Sequence, residues 1–205
     1  MSELLERFPL FPLGLVLLPG EVVPLHIFED RYKTMIGKYL EGESEFGILW
    51  MGDDGLQEVG CCARIDELLE RTEDGRMNIV VRGSRPFRLE RRIDDMEYPA
   101  GDVEVLDDDG DAGPDGTAAA RESYATLVER VTDTRPEEED LEGLSAYEMA
   151  ATIAFDLDAK QELLALRSES ERLLLLTSLC ATALERYEQA ERAAERAKTN
   201  GKVHH

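Results

Sequence analysis

Four prolines, at positions 9, 12, 19 and 24, crowd into the stretch Phe8–Tyr32, FPLFPLGLVLLPGEVVPLHIFEDRY. Each removes a backbone donor and pushes its predecessor toward extended geometry, so this stretch cannot be a helix. The residues between the prolines are mostly Leu, Val, Phe and Ile, which suit a buried pleated surface. The expectation is a set of short strands turning at Pro19-Gly20. After Phe28 the period changes: Tyr32, Met35, Ile36, Tyr39 and Leu40 fall on one helical face, behind the acids Glu29 and Asp30. A helix over 29–41, ended by Gly42, is predicted.

Further along, FGILWM (46–51) reads as an apolar strand closed by the turn Gly52-Asp53-Asp54-Gly55. Val59, Cys61, Ala63 and Ile65 alternate with Gly60, Cys62, Arg64 and Asp66, the period of a half-buried strand. That alternation puts Cys61 inward and makes Cys62 the exposed thiol. Asp74-Gly75 marks a hairpin turn into Met77, Ile79 and Val81, and a second pair follows around Phe87–Leu89 and Val103–Val105. About six strands with one inserted helix, closing antiparallel, make an α+β barrel over residues 1–106.

Residues 107–116, DDDGDAGPDG, are acidic, bear Gly and Pro, and hold no apolar residue larger than alanine. This is a linker by composition. The remainder, 117–205, reads as a helical bundle. Tyr124, Leu127, Val128 and Val131 mark its first helix. Capping boxes at Ser145/Glu148, Asp158/Gln161 and Ser168/Glu171 punctuate short helices, with Met149, Ile153, Phe155, Leu157, Leu163, Leu164 and Leu166 as core. In the long last helix, Leu173, Leu176, Cys180, Ala183, Tyr187, Ala190, Ala194 and Ala197 step alternately by three and four, a heptad seam that fades to alanine. Its second half suits a weak coiled coil through which copies self-associate, a docking helix or a solvated extension.

The opening stretch, with its PLFPL, LLPG, PLHIFE and RY segments at fixed spacing, resembles the start of the Lon protease N-terminal domain, the substrate-binding module of that ATP-dependent protease. Phe46-Gly47-Ile48, Asp74-Gly75-Arg76 and Gln161-Glu162-Leu163-Leu164 followed by Arg172-Leu173 extend the resemblance over roughly residues 7–190. It implies a PUA-like antiparallel β-barrel followed by an α-helical bundle. It implies a substrate-recognition role without the ATPase and peptidase parts.

The rest of the chain bears on chemistry mainly by exclusion. There is no GxxxxGK[ST] phosphate loop, and Gly201-Lys202 lacks the glycine-rich lead. No segment resembles the Lon catalytic Ser–Lys stretch. His26 is the sole histidine apart from His204 and His205 at the end, which leaves no Ser-His-Asp site to assemble, and no GxSxG occurs. His26, inside PLHIF, is expected to be buried and structural. Adjacent cysteines point to opposite strand faces and cannot readily share a metal. The expectation is a non-enzymatic protein with no cofactor and no metal.

Net charge is −22, and both parts are acidic: residues 1–106 carry 12 basic against 22 acidic side chains, net −10, leaving −12 for 107–205. Polyanions are repelled on average, which disfavours the RNA binding often found on PUA-like barrels. The cluster Arg82, Arg85, Arg88, Arg91, Arg92 is expected to be a solvated face paired with carboxylates. Three cysteines, no apolar run of membrane-spanning length and no basic leader point to a reducing, cytoplasmic setting. Unfolded or partner proteins, with a separate ATPase or protease, are the expected partners, and nucleic acid and membrane are not. Leu13–Leu18 holds more apolar residues than alternation can bury. Trp50 and Met51 end a strand beside a polar turn, and with Leu13 and Leu15 they are the candidate protein-binding residues, core packing being the alternative for Trp50 and for the Leu13–Leu15 loop.

Overall fold

Pro9 and Pro12 do not interrupt the first strand, because strand geometry tolerates proline wherever its missing donor is not needed. In the computed structural model, which describes residues 3–40, 44–108 and 114–200, β1 runs Leu4–Leu13 and β2 Val22–Ile27. The helix α1 (Asp30–Tyr39) follows and buries Tyr32, Met35 and Ile36, the face expected from the spacing. Then come β3 (Phe46–Gly52), the short β4 (Gly55–Leu56), β5 (Val59–Arg71), β6 (Met77–Ile93) and β7 (Ala100–Val105). The helices α2 (Pro114–Thr132), α3 (Glu138–Leu141), α4 (Ala146–Ala151), α5 (Leu157–Ala165) and α6 (Glu169–Asn200) complete the chain. The fold is α+β, strands first and then helices with a long last one, as the sequence predicts. The expected helix stop at Gly42, the linker core 109–113 and residues 201–205 lie outside the described residues.

The sheet order is β1-β7-β6-β5-β3, and β3 pairs back onto β1 in parallel, Leu10 opposite Gly47 and Leu13 opposite Trp50. That pairing closes the ring. One cluster fills its inside: Phe8 and Leu10 of β1, Leu49 of β3, Cys62 of β5, Phe87 of β6 and Val103 of β7. A five-stranded ring has little room, and Phe87 takes it only because Gly47 has no side chain. A Cβ there would lie 2.6 Å from the Phe87 ring.

A second apolar layer lies on the opposite face of the same strands. Phe11 meets Tyr32 of α1 with ring centroids 4.1 Å apart, and Phe46 stands beside it at 6.4 Å. Val16, Leu17 and Leu18, just past β1, are buried as well. Cys62 lies inside the ring, against the expectation of an exposed thiol, and Cys61 turns to this second layer. Both Cys61 and Cys62 are fully buried, because β5 is covered on both faces at that point. Burial pushes the Cys62 thiol up to about 12 and the Cys61 thiol well above its usual range.

β6 is one long strand where the sequence suggested two, since Pro86 passes through it at an irregular register next to Cys61. By contact density the chain forms two units, residues 1–109 with 147–167, and residues 110–146 with 168–205. The sequence placed 147–167 in a helical bundle with the rest of 117–205. Instead α5 groups with the sheet. Its Gln161 side chain donates to the Val59 carbonyl at 3.0 Å, and Lys160 reaches Glu21 at 2.6 Å. Asp156, not Asp158, caps α5 by accepting from the Ala159 N–H. In the second unit α2 packs on α6, where Leu173, Leu176 and Cys180 are buried. Arg130 lies over the Tyr187 ring and pairs with Glu191. Farther along, Ala190, Ala194 and Ala197 are exposed, so the seam ends as the alanines begin.

Candidate functional site

The register of β2 on β6 decides which of its residues meet solvent. Ile27 lies opposite Met77 and Leu25 opposite Ile79, on the face that holds the second apolar layer. Val22, Pro24 and His26 have the other parity and are exposed, and Phe28 continues that row beyond the strand. Across β6 the row continues with Asn78 and Val80, and across β5 with Glu70 and Glu67. A register shift between Leu68 and Glu70 leaves Leu69 without a partner, and such a bulge re-aims its side chain. Phe28 is 59% exposed and Leu69 54%, with Val22 and Leu68 also exposed. Beside Leu69 lies a hollow of about 470 Å³ lined by Pro24, Leu25, His26, Leu69, Glu70, Asn78 and Ile79.

His26 is thus exposed, against the expectation that it is buried. The apolar letters around it suggested a core residue, but alternation gives the buried place to Ile27. Its Nδ1 lies 2.6 Å from the Asn78 side-chain oxygen, and the Asn78 amide nitrogen donates to Glu70 at 2.9 Å. The imidazole stacks on Phe28, centroids 5.8 Å apart.

Three of the four candidates from sequence come together at the far end of the β1–β3 pair. Leu13 and Trp50 are register partners and both half-buried. Met51 is 45% exposed and pairs with Leu56. Leu15 lies two residues beyond β1 and is half-buried. Phe28 and Leu69 were missed. The doubled Leu68-Leu69 breaks the period-two alternation of β5, and that break was the available signal.

Among the described residues, three of the five clustered arginines are paired with carboxylates where they stand. Arg82 pairs with Asp66 at 2.8 Å, Arg85 with Glu3 at 2.6 Å and Glu45 at 3.3 Å, and Arg91 with Asp102 at 2.6 Å. A bulge between Leu89 and Arg91 interrupts the strand parity within the cluster. Asp102, accepting from the Arg7 backbone N–H and the Arg91 guanidinium, is held below the ordinary carboxylate range. Among the described residues no group of His, Cys, Asp and Glu could hold a metal ion, and no helix is long and apolar enough to cross a membrane.

Residues 7–182 match the family described as the ATP-dependent protease La (LON) substrate-binding domain. The chain is 23% identical over 198 residues to a Lon protease of Cytophaga hutchinsonii, covering 87% of this chain and 24% of that protein. It is 25% identical over 213 residues to Lon protease 1 of Syntrophobacter fumaroxidans, covering 93% of this chain and 25% of that one. The chain therefore spans about a quarter of the length of these relatives. Among solved structures it resembles a Lon N-terminal domain protein from Xanthomonas campestris, with a TM-score of 0.66 and 26% identity, over 85% of this chain and 98% of that one. The N-terminal domain of a Mycobacterium avium complex Lon protease shares the fold at a TM-score of 0.64 and 22% identity, over 86% and 98% of the two chains.

Proposed function

The chain belongs to the ATP-dependent protease La (LON) substrate-binding domain family, and from that premise we propose that it recognises protein substrates by holding apolar, non-native segments against the outward face of β2, β6 and β5. The observation that carries this reading is the joint exposure of Leu69, which lines the hollow, and of Phe28, which stacks on His26 of its lining. Grouped apolar side chains left in water mark a contact surface more often than scattered ones do. A concave site with apolar walls and few polar groups suits a side chain of an extended segment. The edge formed by Leu13, Trp50 and Met51, with Leu15 two residues beyond β1, is a second contact in this reading, with Met51 its most exposed residue. Substrate so held is handed to an ATP-driven protease. Affinity is weak, on the order of micromolar, because a disordered segment loses entropy on binding.

Fluorescence anisotropy with a labelled, unfolded, non-acidic peptide tests this. Phe28→Asp with Leu69→Asp should weaken binding by at least about tenfold, since two apolar anchors of roughly 1 kcal/mol or more each are replaced by charges. The melting temperature should hardly move, as both side chains are exposed. Met51→Asp should have a smaller effect. A folded double variant that binds as before would move the contact elsewhere, first to Leu13, Leu15, Trp50 and Met51. The same preparation should neither hydrolyse ATP nor cleave casein, given that the sequence holds no GxxxxGK[ST] loop. Turnover that follows the protein through purification overturns that.

A further inference from the structure

A chain of three polar side chains, the exposed His26 and Glu70 joined by the half-buried Asn78, crosses the apolar face described above. The direction of its hydrogen bonds is set at the Glu70 end. A carboxylate accepts and cannot donate, so the Asn78 atom facing it at 2.9 Å is the amide nitrogen. Rotating the amide would set its oxygen against the carboxylate. The Asn78 oxygen therefore faces His26, and the Nδ1–H of the ring donates to it at 2.6 Å. Stacking on Phe28 holds the ring in place. Glu70 uses one oxygen for Asn78 and keeps the other. Glu67, opposite Val80, adds a second carboxylate on the same face. The hollow thus combines apolar walls, chiefly from Pro24 and Leu69, with a polar side that carries the Glu70 carboxylate.

We infer that this hollow selects extended protein segments in which a large apolar side chain is flanked by Lys or Arg, the apolar group seated between Pro24 and Leu69 and the cation on Glu70. The inference rests on the substrate-recognition reading and deepens it. An acidic flank is rejected, by Glu70 and Glu67 locally and by the chain's net charge of −22 at longer range. His26 and Asn78 act as positioning residues: they hold the Glu70 carboxylate at the edge of the hollow.

Three labelled peptides with one apolar core and a single flanking Lys, Gln or Glu test it by anisotropy at low ionic strength. Wild type should bind the Lys peptide about fivefold more tightly than the Gln peptide, the effect of one exposed charge pair, and the Glu peptide more weakly still. The preference should shrink at high salt. Glu70→Gln should bring the Lys and Gln peptides to within about twofold, and Glu70→Lys should invert the order of Lys and Glu. Both variants should melt with wild type, because Glu70 is exposed. If wild type binds the Gln peptide but shows no Lys preference, or the preference survives in folded Glu70→Lys, the selection is overturned and substrate recognition stands. If wild type binds none of the three, substrate recognition on this face falls, and the selection with it.

Discussion

Gly83→Ala is expected to destabilise the protein by about 3 kcal/mol or more, the upper range for forcing atoms into a packed interior. For a chain of this size that is a fall in melting temperature on the order of 6–12 °C. The cause is a backbone crossing. A Cβ on Gly83 would sit 2.1 Å from the carbonyl oxygen of Leu18 and 2.9 Å from its carbon. A side chain could rotate away from such a contact, but a carbonyl in a hydrogen-bonded turn cannot. The Gly83 N–H donates to the Glu21 carbonyl and its own carbonyl accepts from Gly20, both at 2.9 Å, so the turn after Leu18 is fastened to β6 at the point where Cβ would intrude. Moving the turn would also disturb Leu17 and Leu18, which are fully buried. Gly14→Ala is the control: no atom lies within 4 Å of its Cβ position, and a change within about 0.5 kcal/mol is expected. Equal melting of the two variants in thermal denaturation would show that the turn is not seated on β6 as described.

The elements that a local pattern specifies were legible in the sequence. The proline spacing of 9–24, the helical face Tyr32–Met35–Ile36 and the Asp74-Gly75 hairpin each depend on neighbours within a few residues, and the structure has them in place. The parallel pairing of β1 with β3, which closes the sheet, depends on residues far apart, and no short-range period encodes it. Burial on both faces defeated the alternation rule at Cys62, since a strand covered twice has no solvent side. At His26 the error was the reverse: apolar neighbours suggested core, while the parity of β2 sends that position outward with Pro24. The candidate surface was legible in kind, as surplus apolar residues, but its strongest members lie at Phe28 and Leu69. A bulge, which shifts parity by one residue, marks Leu69 in the sequence only by the break it makes in the alternation.

Lys160→Met is expected to cost about 3–5 kcal/mol, because it strands a buried carboxylate. The Lys160 ammonium lies 2.6 Å and 2.8 Å from the two oxygens of Glu21, across 139 residues of sequence. The two side chains are only 11% and 13% exposed, so water screens the pair poorly. Glu21 has a second duty: one of its oxygens accepts the Leu18 N–H at 2.9 Å, in the same turn that crosses Gly83. Methionine matches the length and much of the volume of lysine but supplies no charge, leaving that N–H as the carboxylate's remaining donor among those described. The loss should not be repaired by packing. It should be repaired by removing the charge: Glu21→Gln keeps an acceptor for the Leu18 N–H, and Lys160→Met with Glu21→Gln should recover most of the stability. Denaturant titration of the four proteins gives the coupling directly, and about 2 kcal/mol or more is expected. A coupling below about 0.5 kcal/mol would place the pair with solvated surface bridges. In that case α5 would be held to the sheet by its apolar contacts and the Gln161 bond to Val59 alone.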